Sequence, residues 1–466
     1  MKLRVVLIFV VAALAAAPTG HAAWKQVTAS GGSSIEQVSL LRTADGVLHV
    51  AWTTRTGPNT QDLRHTAIAP NGTIGATTPI QAGWAVLENP ALVSVPGGIR
   101  VFFGGIRTTE PSDPNDELST ALSIDGGASW VLQVGNVVPD GGQAYGSSVA
   151  ATVLPNGTPL EAWAGSLGTW VHSGLTPLTA NHDFQAPLGT YGYDPNVVSD
   201  AAGRVVMAWY SNATGHLGVH AQDVAADGSP VGSAVTMPGT SGMAIGMIGR
   251  TPIVARPGGG FYVAYPTGYP SLNAIRVWRV GAGSTTLVAN AGRYANSNAT
   301  LAADAKGRLW VAWTKTIGGA PHVLVRRSNK AATVFGAVVD AGRPRNAGSM
   351  YRLDGSATPT ALDLFANTGI GVSPTTATWK TRVLPGLTFT ASPQRLRLGR
   401  TSAVTFTVRD AGNPVRGARV AAQGKSGHTN ANGKVTLRLL GRGSSVHATA
   451  TKSGYTAAGL SLRVRR

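Results

Sequence analysis

The feature that most constrains this chain is a strand pattern that returns seven times between Trp24 and about Pro385. An apolar segment enters a turn such as Ala44-Asp45-Gly46, and a strand ending in Val-Ala-Trp or a relative follows. The clearest copies are Val50-Ala51-Trp52, Glu161-Ala162-Trp163, Met207-Ala208-Trp209, Val263-Ala264-Tyr265 and Val311-Ala312-Trp313. Val101-Phe102-Phe103 and Asp363-Leu364-Phe365 are weaker copies. The aromatic positions lie 51, 60, 46, 56, 48 and 52 residues apart. A period of about fifty, made of short strands and Gly-rich turns, specifies a β-propeller with one four-stranded blade per repeat.

The first repeat divides into strands Gln37 to Leu41, Val47 to Thr53, Leu63 to Ile68 and Ile74 to Ile80. Asp45-Gly46 and Asn71-Gly72 supply the positive φ that tight hairpins need. The seventh repeat offers only three strands, Ser349 to Leu353, Ala361 to Ala366 and Ala377 to Leu384. Trp24 to Thr28 precedes the first repeat and can serve as the missing fourth, which removes the open sheet edges. The expected fold is therefore all-β, a seven-bladed propeller. A six-bladed ring with the last repeat as linker is the alternative.

Residues 386–466 differ in character. Val404 to Val408, Ala418 to Gln423, Lys434 to Leu440, Ser445 to Thr451 and Leu460 to Val464 alternate as half-exposed strands do, which predicts a small β-sandwich. The expected organisation is 1–23 signal peptide, 24–385 propeller and 386–466 sandwich. The leader reads as basic Lys2 and Arg4, an apolar stretch from Leu3 to Ala17, and small residues at His21-Ala22-Ala23. The expected localisation is secreted or cell-surface associated, with no transmembrane segment after cleavage.

The chain has no cysteine, so disulfides and Cys-ligated metals are excluded. Its formal charge of +18 is unevenly placed. Residues 386–466 hold 14 Lys or Arg against one acid, Asp410, while 24–385 hold 23 bases and 20 acids. Charge of this density points to an anionic partner. Nucleic acid is not expected, because the bases alternate along strands with no interleaved aromatics for stacking.

Ser123-Ile124-Asp125-Gly126-Gly127-Ala128-Ser129-Trp130 matches the Asp-box, Ser-x-Asp-x-Gly-x-x-Trp, and resembles that of sialidase-like propellers. In that superfamily the motif is structural and lies away from the active site. The resemblance implies an arginine triad, a tyrosine nucleophile paired with a glutamate, and an aspartate acid/base. The Phe/Tyr-Arg-Ile-Pro motif of the first arginine is absent. The last domain resembles bacterial Ig-like modules through Val404 to Val408, Gly412 to Val420, Thr429 to Leu437 and Ala448 to Tyr455. That likeness implies a spacer or adhesive module.

In a propeller the segments entering the first strands, and the loops joining second and third strands, surround one mouth of the central tunnel. Rigid rings present function on such loops. The candidate ligand-binding residues there are Asn89, Arg107, Tyr145, Tyr193, Asp194, Arg250, Asn298 and Arg345. Amides, carboxylates and aromatics together suit sugars. Glu161 is the catalytic candidate. It stands where the other clear repeats carry Val or Met, and a carboxylate in a core slot must be paired or keep its proton. Asp113, Asp116 and Glu117 match no standard calcium loop, and neither metal nor cofactor is expected. The expected function is recognition of a glycan or surface protein at the mouth, with the basic module attaching to an anionic cell-surface polymer. A sialidase-like glycoside hydrolase or lyase is the alternative.

Overall fold

The computed structural model describes residues 23–29, 37–109, 117–133, 147–165, 168–175, 182–183, 192–211, 213, 215–241, 249–267, 273–290, 299–345, 347–370 and 375–466. No helix occurs among them, so none is long and apolar enough to cross a membrane. The strands follow the repeats. In the third repeat Ser147–Val153, Pro159–Gly165, Gly168–Ser173 and His182–Asp183 form one antiparallel sheet in chain order. The fourth, fifth and sixth repeats form four-stranded sheets in the same way.

The first hairpin of each repeat is set by its turn chemistry. Asp200 Oδ1 accepts the amides of Ala202 and Arg204, both at 3.0 Å. Asp304 Oδ1 accepts those of Lys306 and Arg308 at 2.8 and 3.0 Å. Asn156 does the same for Thr158 at 3.0 Å. These side chains imitate a backbone turn and leave Gly to take the left-handed position. At Gly307, with φ of 75°, a Cβ would also lie 2.4 Å from the Pro257 carbonyl oxygen of the neighbouring repeat.

The first two repeats depart from separate four-stranded sheets. The fourth strand of the first repeat runs over Ile74–Leu87, well past Ile80, and its end pairs with Gly98–Arg107 of the second. One eight-stranded sheet results. The extension is driven by burial: Trp84 and Leu87 pack with Phe103 in one apolar cluster. Gly105 permits the contact, since a Cβ there would sit 2.4 Å from the Val86 carbonyl oxygen.

The N-terminal strand joins the seventh repeat. Lys25 lies opposite Lys380 and Gln26 opposite Trp379. The Trp24 indole donates to the Ala341 carbonyl at 2.8 Å, and the Thr378 amide donates to Thr28 Oγ1 at 3.0 Å. The repeat aromatics explain how sheets stack. Each packs on the sheet before it: Phe103 on the first, Trp163 on the second, Trp209 on the third, Trp313 on the fifth. Trp52 clusters with Phe365 of the seventh repeat. Second strands are covered on both faces, so Val205–Ser211 and Phe261–Thr267 are buried throughout. The outermost strand Pro230–Thr236 is mostly exposed.

Beyond Gly386 a second apolar core appears. Two sheets, one centred on Thr401–Asp410 and one of five strands around Ser445–Thr451, enclose Val404, Phe406, Val420, Leu439, Ala448 and Leu462. Here the strands alternate, exposed then buried, as expected where only one face is covered.

Candidate functional site at the tunnel mouth

The first strands of the repeats converge on one cavity of about 180 Å³. Its lining draws on every repeat, through Ser39, Leu92, Ala151, Asn196, Ile253, Thr300 and Asp354. Two backbone oddities lie two residues before the lining residues Ala150 and Asn196. Ser148 and Asp194 both take positive φ, 63° and 50°. They are joined, with Ser148 Oγ donating to Asp194 Oδ1 at 2.6 Å. Non-Gly residues hold such conformations only where their surroundings over-determine them.

Arg250 is the hub. Its Nη1 donates to the carbonyls of Pro90 at 2.6 Å and Val149 at 2.9 Å, and its Nη2 donates to Val38 at 2.8 Å. One side chain from the fifth repeat thus ties the entry segments of the first three. Its backbone amide donates to Gln37 Oε1 at 2.6 Å. Gln37 Nε2 in turn donates to Asp354 Oδ1 at 2.6 Å, and the Gln37 amide donates to Asn89 Oδ1 at 2.5 Å. Asn196 Nδ2 donates to the Thr251 carbonyl at 3.0 Å.

Asp354 is the chemically unusual member. It lines the cavity, yet its Oδ2 is buried with no hydrogen-bond partner. Burial pushes its carboxyl up to about 7, against the opposing pull of Arg250, Gln37 and Arg352. A carboxyl raised this far exchanges its proton near neutral pH, which suits general-acid chemistry.

The expected site residues separate into groups. Arg250 lines the cavity, but three of its five donors are spent on main-chain oxygens. Asn89 and Asp194 belong to the same network. Tyr193 stacks on Tyr210, ring centres 5.3 Å apart. Arg107 is not in the cavity lining; its guanidinium lies over the Trp84 ring at 5.2 Å. Arg345 is exposed and outside the lining. Tyr145 and Asn298 lie outside the described residues, as do Asp113 and Asp116.

Glu161 is fully buried, and His172 Nδ1 lies 3.1 Å from its Oε2. Its Oε1 has no hydrogen-bond partner. Burial raises its carboxyl to about 7, while His172 and Arg100 act in the other direction. It is absent from the cavity lining, so the structure places this acid inside the stack of blades and apart from the mouth. Asp363, expected in the same slot of the seventh repeat, is one position off it by strand register and faces the first repeat, where it pairs with Arg42 at 2.6 Å.

Gln37 and Asp354 were not among the expected site residues. By register from the turn, Asp354 takes the strand-one slot that Ser39 and Thr300 hold in other repeats, a slot that is polar there too. His216 and His220 stand four apart, but they do not converge on a metal. The His220 Nε2 meets the His216 carbonyl at 2.9 Å instead. Among the described residues no cluster of three metal-ligating side chains occurs.

No protein-family model matches the chain, and no curated protein does. Among solved structures it is similar to polysaccharide lyase Uly1, at 10% identity over 77% of this chain and 92% of that one, TM-score 0.49. It is similar to Trypanosoma rangeli sialidase in complex with the inhibitor DANA, at 10% identity over 79% and 60%, TM-score 0.40. It is also similar to the GH43_1 enzyme from Xanthomonas citri complexed with xylotriose, at 11% identity over 76% and 89%, TM-score 0.33.

Proposed function

We propose that this chain is an exported, carbohydrate-active β-propeller that takes a glycan at the tunnel mouth and cleaves it with Asp354 as the acid. The observation that carries this is the Asp354 carboxyl: in the cavity wall, one oxygen held by Gln37 and the other without a partner, with burial raising it to about 7. In that state it can protonate a departing glycosidic oxygen. The blade count supported by the strand grouping is seven, with the eight-stranded sheet taken as two. Residues 1–23 would be removed on export, and residues 386–466 would form an Ig-like module that holds the propeller to an anionic cell surface.

A second reading is recognition without cleavage. It is favoured by the cavity lining itself, in which, among the described residues, Asp354 is the one carboxylate and the other polar groups are mostly amides and hydroxyls. The test is incubation with a panel of neutral and acidic polysaccharides. New reducing ends would report cleavage of either kind; ultraviolet absorbance of unsaturated ends would mark elimination, and its absence hydrolysis. Asp354→Asn should lower the rate by about 10²-fold or more. Binding with no cleavage of any member would select recognition. Neither binding nor cleavage would overturn both.

A further inference from the structure

The basic charge beyond Gly386 is not evenly spread; part of it is laid out as a ladder. Strands Arg395–Arg397 and Ala458–Arg465 are parallel neighbours, with Arg395 beside Arg463 and Arg397 beside Arg465. Leu396, between the first two, points into the core at 1% exposure, and Val464, between the other two, is partly buried against the same core. All four arginines are therefore outward and exposed. Near its end the Leu398–Gly441 bridge and the Gly441 amide, which donates to the Arg400 carbonyl at 2.9 Å, fix the backbone at exposed Arg400 and beside exposed Arg442.

Like charges set directly across a sheet destabilise it. No acid of this module relieves them. Asp410 is its only one, and it is buried against Arg308 and Arg327. Strand geometry places successive outward arginines about 7 Å apart along the strand and about 5 Å apart across it. A groove of about 390 Å³ runs beside the ladder, lined by Phe389, Gln394, Arg395, Leu460 and Arg463.

We propose that this arginine ladder is the binding site for a linear phosphate polyanion, lying along the strand direction with its backbone over the groove. This rests on the surface-attachment role proposed above and assigns it to particular residues. The match is one of charge and direction: a linear phosphate polymer can lay successive anionic groups along the line of exposed arginines, each open to charge-assisted hydrogen bonds from a guanidinium. Nucleic acid shares the charge but also brings bases. The aromatics near the ladder are not free to stack on them, since Phe389 is partly buried against Phe406 with ring centres 5.4 Å apart.

The experiment uses the full exported chain and long-chain inorganic polyphosphate as probe, titrated across a salt series. A single-stranded oligodeoxynucleotide of equal charge is run in parallel. Two charge-matched variants are compared: Arg395→Gln with Arg397→Gln, Arg463→Gln and Arg465→Gln, and, as control, Arg416→Gln with Arg419→Gln, Lys434→Gln and Arg438→Gln. The ladder variant should lose at least tenfold in affinity and its log–log salt slope should fall by about 3, the control much less. Melting curves verify that each variant is folded. Equal losses in both variants would overturn the ladder while sparing surface attachment by diffuse charge. Failure of the unaltered chain to bind would overturn surface attachment itself. Tighter binding of the oligonucleotide than of polyphosphate would also overturn the proposal.

Discussion

Arg327 and Asp410, 83 positions apart, meet at 2.5 Å between Nη2 and Oδ2, and the contact joins the sixth repeat to the C-terminal sandwich. Arg308 reaches the same oxygen at 2.7 Å. The Arg327 guanidinium lies over Trp310 at 5.1 Å and Tyr455 at 5.7 Å, one ring from each side of the junction. The sole acid of the basic module is thus consumed in holding it to the ring.

Asp410→Asn leaves two arginines facing a neutral amide in a buried setting. Removing one partner of a buried pair costs about 3–5 kcal/mol. The expected outcome is a lower denaturation midpoint and faster proteolysis near Gly386. An unchanged midpoint with unchanged cleavage would show that the clamp contributes nothing.

Deletion of residues 24–28 removes the strand opposite Lys380 and Trp379, together with the Trp24 indole bond to Ala341. The last sheet then keeps an open edge. Thermal melting should fall by roughly 5 °C or more, since losses of a few kcal/mol shift a domain this large by about that amount. A melting curve superimposable on the intact chain would refute closure by this strand.

Glu161→Gln should change how stability depends on pH. The folded carboxyl is raised to about 7 from its ordinary 4.5, so it binds its proton more tightly folded than unfolded. Its favourable contribution is complete below about 4.5 and is lost as pH rises through 7. The loss is on the order of 3 kcal/mol. The unaltered chain should therefore weaken over that window, and the glutamine variant should weaken less. Denaturant midpoints at pH 5 and pH 8 provide the comparison.

Arg250→Met keeps bulk but abandons three carbonyls, those of Val38, Pro90 and Val149. Each lost charge-assisted bond is worth about 1.5–3 kcal/mol. Glycan binding and global stability should fall together. Arg250→Lys should recover only part of either, because an ammonium cannot reach three divergent oxygens as a planar fork does. Full recovery by lysine would mean the tie is not geometric.

The repeat was readable because each sheet is local in sequence and carries its own turn chemistry, and because an aromatic two places beyond the Val50 or Met207 slot must pack on the sheet before it. The alternation in Ser445–Thr451 was readable because only one face of that strand is covered. Asp354 was missed for a definite reason. The strand expected to stop at Leu353 runs to Ala357, and register shifts at Ala347/Ser349 and Met350/Arg352 displace it against its neighbour. A strand placed too short turns a wall residue into a loop residue. Gln37 was expected to begin the first strand, but that strand is Ser39–Arg42 and Gln37 precedes it; sequence also gives no sign that its amide bridges Arg250 and Asp354, which lie in the fifth and seventh repeats. Likewise the continuation of Ile74–Leu87 into the second sheet depends on Trp84 finding Phe103, a contact that periodicity does not encode.

The Arg250 tie has a consequence for the order of events during synthesis. Its three oxygens belong to residues 212, 160 and 101 positions earlier in the chain. At ribosomal rates of about 5–20 residues per second, Val38 emerges on the order of ten seconds or more before its partner. The first three sheets are therefore expected to form as an arc whose inner rim stays wet until the fifth repeat arrives. Nascent chains stalled before and after residue 250 should differ in protease resistance, and the residue that shapes the mouth would then also be the one that times its completion.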